Sequence, residues 1–435
     1  MRHGCGVTKN MTEVDMQKLF TVNEGKKYDV IVIGGGAAGC GAAIRAARDG
    51  ASVLLIEASG ALGGMASGGM VPEFCPYTDG EKIIHHGIAE EILFRMKAVT
   101  PDPKEKLDYC TIDAEQMKVF LDEMTAEAGV DVLFFSTVCA AERDGGRATG
   151  VTVSNKAGLT QYNAEAFVDA TGDADVCAFL GCEFEVGDAD GLTQMPTLCF
   201  QMCGVNDAGK PIEAMVRQHL PEIIADDEFP RIDNDFFCAM QMSDGVWGCN
   251  AGHVRAVKPL DRMSISVGMA EGRKKAREYL AALKKYMPEE FGGAYITVTA
   301  PLLGIRETRR IKGEYTITVD DYRERRSFED EIGRNSYAID LHDIKHFYKG
   351  ENANEGYGKY GKGDSHGIPL RALIPVGTDN LFVAGRSISC ERAVQSSLRI
   401  IPVCFVTGEA AGAAATVCAK TGAVSTNVCI SDIVK

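Results

Sequence analysis

Residues 28–58, YDVIVIGGGAAGCGAAIRAARDGASVLLIEA, restrict the fold more than any other part of the chain. Tyr28–Ile33 is an unbroken apolar run, the pattern of a parallel strand covered on both faces. Ala37–Asp49 is an alanine-rich helical stretch that ends at Gly50, a C-cap residue. Ser52–Glu57 is a second apolar strand, so the segment predicts a βαβ unit. At its first turn, Gly34, Gly36 and Gly39 fit G-x-G-x-x-G directly after a strand and before a helix, with Ala37 and Ala38 between the last two glycines. Alone the pattern is weak, but in this context it points to a dinucleotide. Gly34 permits the tight turn, Gly36 lets backbone approach a pyrophosphate, and Gly39 lets helix and strand pack closely. The pyrophosphate would rest on free N–H groups at the positive end of the helix. Glu57, 23 residues beyond Gly34, can accept hydrogen bonds from a ribose diol and would repel a 2′-phosphate.

A second match, Gly356-x-Gly358-x-x-Gly361, has no strand before it and no helix after it, and reads as a flexible loop. One dinucleotide fold rather than two favours a tightly held flavin dinucleotide over a flavin plus a separate nicotinamide domain. Further on, residues 80–97 read as an amphipathic helix through Ile84, Ile88, Ile92 and Met96, with His85 and His86 capping or solvating it. Asp113–Gly129 reads as another helix. Val132–Phe135, Gly150–Ser154, Ala166–Ala170 and Asn380–Ala384 read as strands, and Pro402–Lys420 as a long small-residue helix. Residues 183–366 lack the βαβ pattern and read as a separate sheet with helices such as 271–286. The predicted organisation is an N-terminal arm (1–26, mobile or a short packed helix), a dinucleotide domain in two parts (27–182 and 367–435) and an intervening substrate domain (183–366). The fold class is α/β, a Rossmann-type domain with an inserted α+β domain.

A net charge of −15 argues against nucleic-acid partners but leaves room for arginines in a cleft to hold an anion. The 15 cysteines are scattered, with no CxxC and no four-ligand cluster. They read as reduced thiols in a cytoplasmic protein, without zinc or iron–sulfur sites. No leader-like apolar core opens the chain, and Glu409 and several glycines make the apolar stretch from Ile400 a buried helix rather than a membrane span.

Three further blocks carry a resemblance: Gly63-Gly64-Met65 after Glu57, the run Ala170-Thr171-Gly172-Asp173-Ala174-Asp175, and NLFVAGRSISCERAVQSSLRIIPVCFVTGEAAGAAA. Together they resemble the broad FAD-dependent oxidoreductase family, whose FAD half is built like that of glutathione reductase and which includes relatives of the heterodisulfide reductase flavin subunit. The resemblance covers about residues 27–180 and 300–420. It implies that Ala170–Asp173 approach the dinucleotide and that Gly385 and Arg386 approach the flavin-side phosphate and ribitol. It also implies that the segment from Leu398 through Arg399 and Ile400 to Pro402 lies beside the isoalloxazine. Ala58 and Val138 join the implied cofactor contacts. Arg386 could neutralise a phosphate, and the helix from Pro402 could direct its N-terminus at the electron-rich edge of reduced flavin. Gly408–Ala415 would serve either such contact or close packing against the sheet. Relatives often carry a histidine just before the SLR segment; here the text is CERAVQSSLR, with Gln395 nearby, so that histidine's role is absent or moved. No histidine near Gly63–Gly69 suits covalent attachment, which implies non-covalent FAD.

On the substrate side, Arg306, Arg309 and Arg310 crowd into PLLGIRETRRIKGEYTIT, a segment expected to continue as an alternating strand. Arg306 or Arg309 could bind an anion bidentately, or the segment could be an interface strand paired through Glu307 and Glu314. His366, at the return to the dinucleotide domain, is the candidate acid–base residue. Cys40, Cys75 and Cys390 lack redox-pair spacing. The expected function is hydride transfer between flavin N5 and a small anionic substrate. The alternatives are an electron-transfer subunit with a separate iron–sulfur partner and, last, a protein whose FAD is structural or non-redox. Homo-oligomerisation is left open.

Overall fold

The computed structural model describes residues 21–255, 257–349 and 352–433. Most of the expected N-terminal arm lies outside these. Of its remainder, Val22–Glu24 is a short strand (β1) rather than helix or free arm. Strands β2 (Tyr28–Ile33) and β3 (Val53–Ile56) flank helix α1 (Ala37–Arg48) as the βαβ reading requires. Helices α2 (Ile88–Lys97) and α3 (Ala114–Ala128) follow, then strands β4 (Asp131–Leu133), β5 (Thr137–Asp144), β6 (Arg147–Asn155) and β7 (Gly158–Asp169). The long β7 belongs to two arrangements. Its first half pairs antiparallel with β6 and parallel with β1, while its second half pairs parallel with β2.

Because alternate residues of a strand face opposite sides, β2 and β3 feed two cores. Val30, Val32, Val53 and Leu55 pack against the helices, while Ile31, Ile33, Leu54 and Ile56 pack toward Val151, Val153 and Val176. Burial on both faces explains why these strands read as continuous apolar runs.

The expected helix over 80–97 begins only at Ile88. Gly87 has φ +67°, and a Cβ there would lie 2.3 Å from Glu409 Oε2. That same carboxylate accepts the N–H of Ile88 at 3.0 Å, so Glu409 starts the helix from across the core. His85 therefore precedes the helix and is fully buried, not solvated. By contrast, α3 starts and stops as its caps dictate: Asp113 accepts N–H bonds from Glu115 and Gln116, and Gly129 takes φ +80°.

The second layer is an antiparallel sheet of β8 (Phe200–Cys203), β9 (Phe237–Ser243), β10 (Val246–Ala251) and β11 (Tyr295–Thr299) in the order β9-β10-β8-β11. Helices α4 (Ile212–Ile224) and α5 (Arg262–Tyr286) cover it around Phe200, Trp247, Tyr279 and Phe291. The expected helix 271–286 thus begins nine residues earlier, where Asp261 caps Met263 and Ser264. The alternating strand expected after Arg310 stops at Ile311, paired with Phe184–Val186. Beyond it the chain turns, with Glu314 N bonded to Ile374 O and Ile317 N to Ser389 O. The charged stretch holds a short helix, Val319–Glu324, with a Thr318/Asp321 capping box. Ile317, Tyr322, Ile339 and Leu341 join the core around α1, so the end of the middle segment packs on the dinucleotide sheet. Gly356–Gly361 is turns and irregular chain, as expected.

The return strand β12 (Leu381–Val383) pairs parallel with β7. It leads to α6 (Arg392–Leu398) and α7 (Ile401–Thr421). Among the described residues, α7 is the one helix long and apolar enough to cross a membrane, and 83% of its most apolar window is buried in the protein. Its glycines pack on a helix rather than a sheet. A Cβ on Gly408 would sit 2.0 Å from Ala38 O and one on Gly412 2.1 Å from Ala42 O.

Candidate active site

The nucleotide end is shaped by what cannot be added to it. Gly34 has φ +96°, and a Cβ on Gly39 would lie 1.7 Å from Gly34 O, so strand, turn and helix close up only on glycine. Gly36 differs: its Cβ would meet only Gly64 Cα, at 3.9 Å, so the backbone at the first turn of α1 is not crowded there. The N–H groups of Ala37, Ala38 and Gly39 begin this helix and have no partner within it. Gly63 lies alongside, its N–H donating to Gly35 O at 2.8 Å, and places Gly64 and Met65 at the rim. Glu57 accepts from Gly35 N and Ser59 N, both at 2.7 Å, and is half-buried. Ala58 beside it is exposed, and Val138 is buried at the start of β5, just beyond Ser136, whose N–H bonds Glu57 O.

At the other end, Ala170 closes β7, and Thr171 bonds the buried Asp169 carboxylate at 2.7 Å. Arg386 was expected at a phosphate. It is engaged inside the protein, donating to Gly172 O at 2.6 Å, Ile305 O at 3.0 Å and Asp173 Oδ1 at 2.7 Å. These bonds fasten the 170–175 turn, the 305–306 segment and Gly385 together, so Arg386 shapes the site. Arg309 is also engaged, with Asp173 O and Asp175 Oδ1 at 2.8 Å and the ring of Phe184. Its contacts are those of an interface strand, through Asp175 rather than Glu307 or Glu314. Glu307 serves Arg310 and Arg392 instead. Leu398 and Ile400 are buried at the junction of α6 and α7, with Ile400 the residue that opens α7 and Pro402 in its first turn.

Arg306 is different from its neighbours. It is 7% exposed and donates to Met195 O at 2.6 Å and Thr197 Oγ1 at 3.0 Å, both neutral acceptors. Among the described residues no carboxylate pairs with it. Burial, followed by repulsion from Arg399, pulls its pKa down to about 10. Its guanidinium lies 5.3 Å from the ring centroid of Phe236.

Around Phe236 lies a cluster that sequence reading missed. Phe236 stacks on His253 with ring centroids 4.6 Å apart. His253 Nε2 is 2.7 Å from His342 Nδ1, and His342 Nε2 is 3.0 Å from Asp340 Oδ2. Tyr337 donates to the same carboxylate at 3.1 Å, and Arg399 donates to Asp340 O at 3.2 Å. Burial, then Arg306, pushes His342 down to about 4. Burial opposes ionisation of Asp340, yet His342 and Arg399 hold its carboxyl below the usual range. No local motif announces this group, since residues 236, 253, 306, 337–342 and 399 converge only on folding. The acid–histidine–acid text Asp340-Leu341-His342-Asp343 is the one signal it left in the sequence.

His366 sits elsewhere. It is fully buried in the ribbon pairing Glu331–Asn335 with His366–Pro369, its Nδ1 2.5 Å from Tyr360 OH. Burial, then Arg334, pushes it down to about 3. Among the described contacts it shares no hydrogen bond or ring contact with the Arg306–Arg399 cluster, where His253 and His342 pair.

The FAD dependent oxidoreductase family matches the chain over residues 29–435. The chain belongs to this family. No match is found among curated proteins. The p-nitrophenol 4-monooxygenase PnpA of Pseudomonas putida DLL-E4 is similar at 10% identity over 94% of this chain and 84% of that one, with a TM-score of 0.48. The flavin-dependent brominase Bmp2 is similar at 12% identity over 91% and 80%, with a TM-score of 0.48. A geranylgeranyl bacteriochlorophyll reductase-like protein of Thermoplasma acidophilum is similar at 14% identity over 91% and 80%, with a TM-score of 0.46.

The residues present in this FAD dependent oxidoreductase fit FAD. A pyrophosphate beside Gly36 would meet the unpartnered N–H groups of the first turn of α1. Glu57 suits the ribose. Ser387 Oγ and Arg399 Nε are buried polar atoms without a protein partner, which bound FAD would satisfy if the flavin lies beside Leu398–Pro402.

Proposed function

We propose that the protein transfers a hydride between FAD and a small anionic organic substrate held beside Arg306 and Arg399. The observation that carries this reading is the unpaired, buried charge of Arg306. Among the described residues, Arg309, Arg310, Arg386, Arg392 and Arg399 each face a carboxylate within 4 Å, and Arg306 does not. An uncompensated buried cation is costly, and an incoming carboxylate or phosphate would relieve the cost with a bidentate bond. The place supports it as well. Leu302 N donates to Gly68 O at 3.1 Å, and Leu198, Val254 and Leu303 pack with Met70 and Val71, so segments flanking the second sheet pack on the loop that follows Gly63–Met65. Bound FAD would supply a two-electron acceptor or donor there. The chain's own part is to hold the anion, exclude water and manage the proton.

The test is anaerobic mixing of the FAD-loaded protein with a panel of small carboxylates and phosphate esters, followed by flavin absorbance. At least one anionic donor should bleach the flavin. Arg306→Ala should weaken that donor's apparent affinity about 10- to 100-fold, the size of one charge-assisted contact, with Arg306→Lys in between. Bleaching by neutral donors alone, or by dithionite alone, refutes the reading; the latter result is that of a partner-fed electron carrier.

A further inference from the structure

We infer that His253 is the catalytic base for the X–H proton of the substrate, an alcohol, hydroxy acid or amine, and that His342 and Asp340 are positioning residues that fix its tautomer. The inference rests on the functional reading above, which supplies the two-electron acceptor, and concerns the proton alone.

The geometry forces the assignment one atom at a time. Asp340 is ionised and bonded by Arg399, so the nitrogen facing its Oδ2 must be a donor, and His342 carries its hydrogen on Nε2. His342 Nδ1 is then a lone pair. The nitrogen 2.7 Å from it must donate, which places the hydrogen of His253 on Nε2. What remains is His253 Nδ1, a lone pair that is buried and has no partner in the protein. The residue is 6% exposed, and Phe236 stacked on its face holds the ring plane. Unlike the other unpartnered histidine nitrogens, at His85 and His366, this acceptor lies beside the proposed anion anchor, where a ligand hydrogen would satisfy it. Phe236 also carries Arg306, so the acceptor and the proposed anion anchor flank a single ring.

The proton balance closes without any further group. The substrate O–H or N–H gives its proton to His253 Nδ1. The Nε2 proton of His253 passes to His342 Nδ1, where the imidazolium faces the ionised Asp340. The adjacent C–H would leave as hydride to bound FAD, with C=O or C=N formed. The surrounding charges favour a neutral resting pair. Arg306, Arg399 and Lys275, whose Nζ bonds His253 O at 2.7 Å, face it with positive charge, against the single carboxylate of Asp340. Asp233, which pairs with Arg255 and Lys275, is the next acid outward.

The protein has only 8 histidines, so nitrogen-15 histidine labelling resolves the tautomers of the FAD-loaded form directly, with His253→Gln and His342→Gln giving the assignments. His253 is expected to be neutral with hydrogen on Nε2, and to remain so into mildly acidic solution. Asp340→Asn should release that tautomer. With an anionic donor in hand, His253→Gln should slow flavin reduction by about 10²- to 10⁴-fold with FAD still bound, and should leave the donor's affinity nearly unchanged. A wild-type His253 with hydrogen on Nδ1, or a His253→Gln variant that reduces its flavin at the wild-type rate, overturns the inference. Failure of every anionic donor overturns the functional reading instead and leaves the tautomer result to be judged separately.

Discussion

Gly412→Ala separates two physical effects of opposite sign. Judged by helix propensity alone, replacing a glycine near the middle of α7 should stabilise the protein by about 0.8–1.0 kcal/mol. Judged by the packing of α7 on α1, it should do the reverse. The added Cβ would lie 2.1 Å from Ala42 O and 2.7 Å from Ala42 Cα, well inside the 3.4 Å at which ordinary contact begins. Those atoms are backbone and cannot swing aside, so the helices must part by about an ångström. Overpacking of that kind costs about 1–3 kcal/mol, occasionally more, which exceeds the propensity gain. Because the clash is with backbone, the cost should lie at the upper end of that range, for a net loss of about 2 kcal/mol, or a few degrees in Tm. Gly408→Ala should go further, because Ala38 O lies 2.0 Å from its Cβ and Ala38 stands at the N-terminus of α1, where the pyrophosphate would rest. It should weaken FAD retention as well. Unfolding followed with and without saturating FAD separates the two effects, since a pure stability change shifts both curves alike. Ala126→Gly, on the exposed side of α3, calibrates the propensity term. A neutral or stabilising Gly412→Ala would refute the packing argument.

Two more outcomes test the core. Glu307 is fully buried and accepts from Arg310 at 2.5 Å, Arg392 at 3.1 Å and Gln194 N at 3.0 Å. Glu307→Gln should therefore cost about 3 kcal/mol by leaving guanidinium groups short of charge, and a loss below about 1 kcal/mol in urea unfolding would count against this. His85 is fully buried with neither ring nitrogen partnered, and burial pushes its pKa from 6.5 down to about 3. Between those values the unfolded chain binds a proton that the folded one does not. Stability attributable to His85 therefore falls as pH drops from 6.5 toward 3, by about 1.4 kcal/mol per pH unit. His85→Phe should flatten that part of the stability curve, and parallel curves for the two proteins would refute it.

The dinucleotide end was legible because its constraints are local. Gly34, Gly36 and Gly39 act within one turn, and the apolar runs of β2 and β3 follow from burial on both faces of one sheet. Errors arose where a distant residue decides a local event. The isoleucine spacing from Ile84 onward is real, but the helix waits for Gly87 because the carboxylate that caps it comes from Glu409, 321 positions away. The N-terminal half of α5, RMSISVGMAEG, has little helical periodicity and is held by the Asp261 cap and by Gly272, whose Cβ would strike Leu198. The alternation after Arg310 imitates a strand, yet among the described residues it finds only isolated bridges beyond Ile311, Gly313 to Pro375 and Ile317 to Cys390.

The arginines show the same limit at the level of chemistry. Sequence places Arg306, Arg309 and Arg310 within five residues and gives no reason to prefer one. The fold sends Arg309 to Asp175, Arg310 to Glu307 and Glu185, and Arg306 into a buried setting of neutral acceptors. What distinguishes Arg306 is the absence of a carboxylate, a property that no pattern of residues along the chain encodes. The histidines follow the same logic. His366 stands out in sequence because it opens the return to the dinucleotide sheet, but its polar contact there is Tyr360. His253 and His342, 89 positions apart, are unremarkable until Asp340 orders their protons. The two properties meet at Phe236, which bears the unpaired cation and fixes the unpaired nitrogen. A substrate that satisfies both must present an anion and an ionisable hydrogen a short distance apart. That requirement narrows the panel of donors to be tried far more than family membership does, because one FAD-binding fold serves many chemistries.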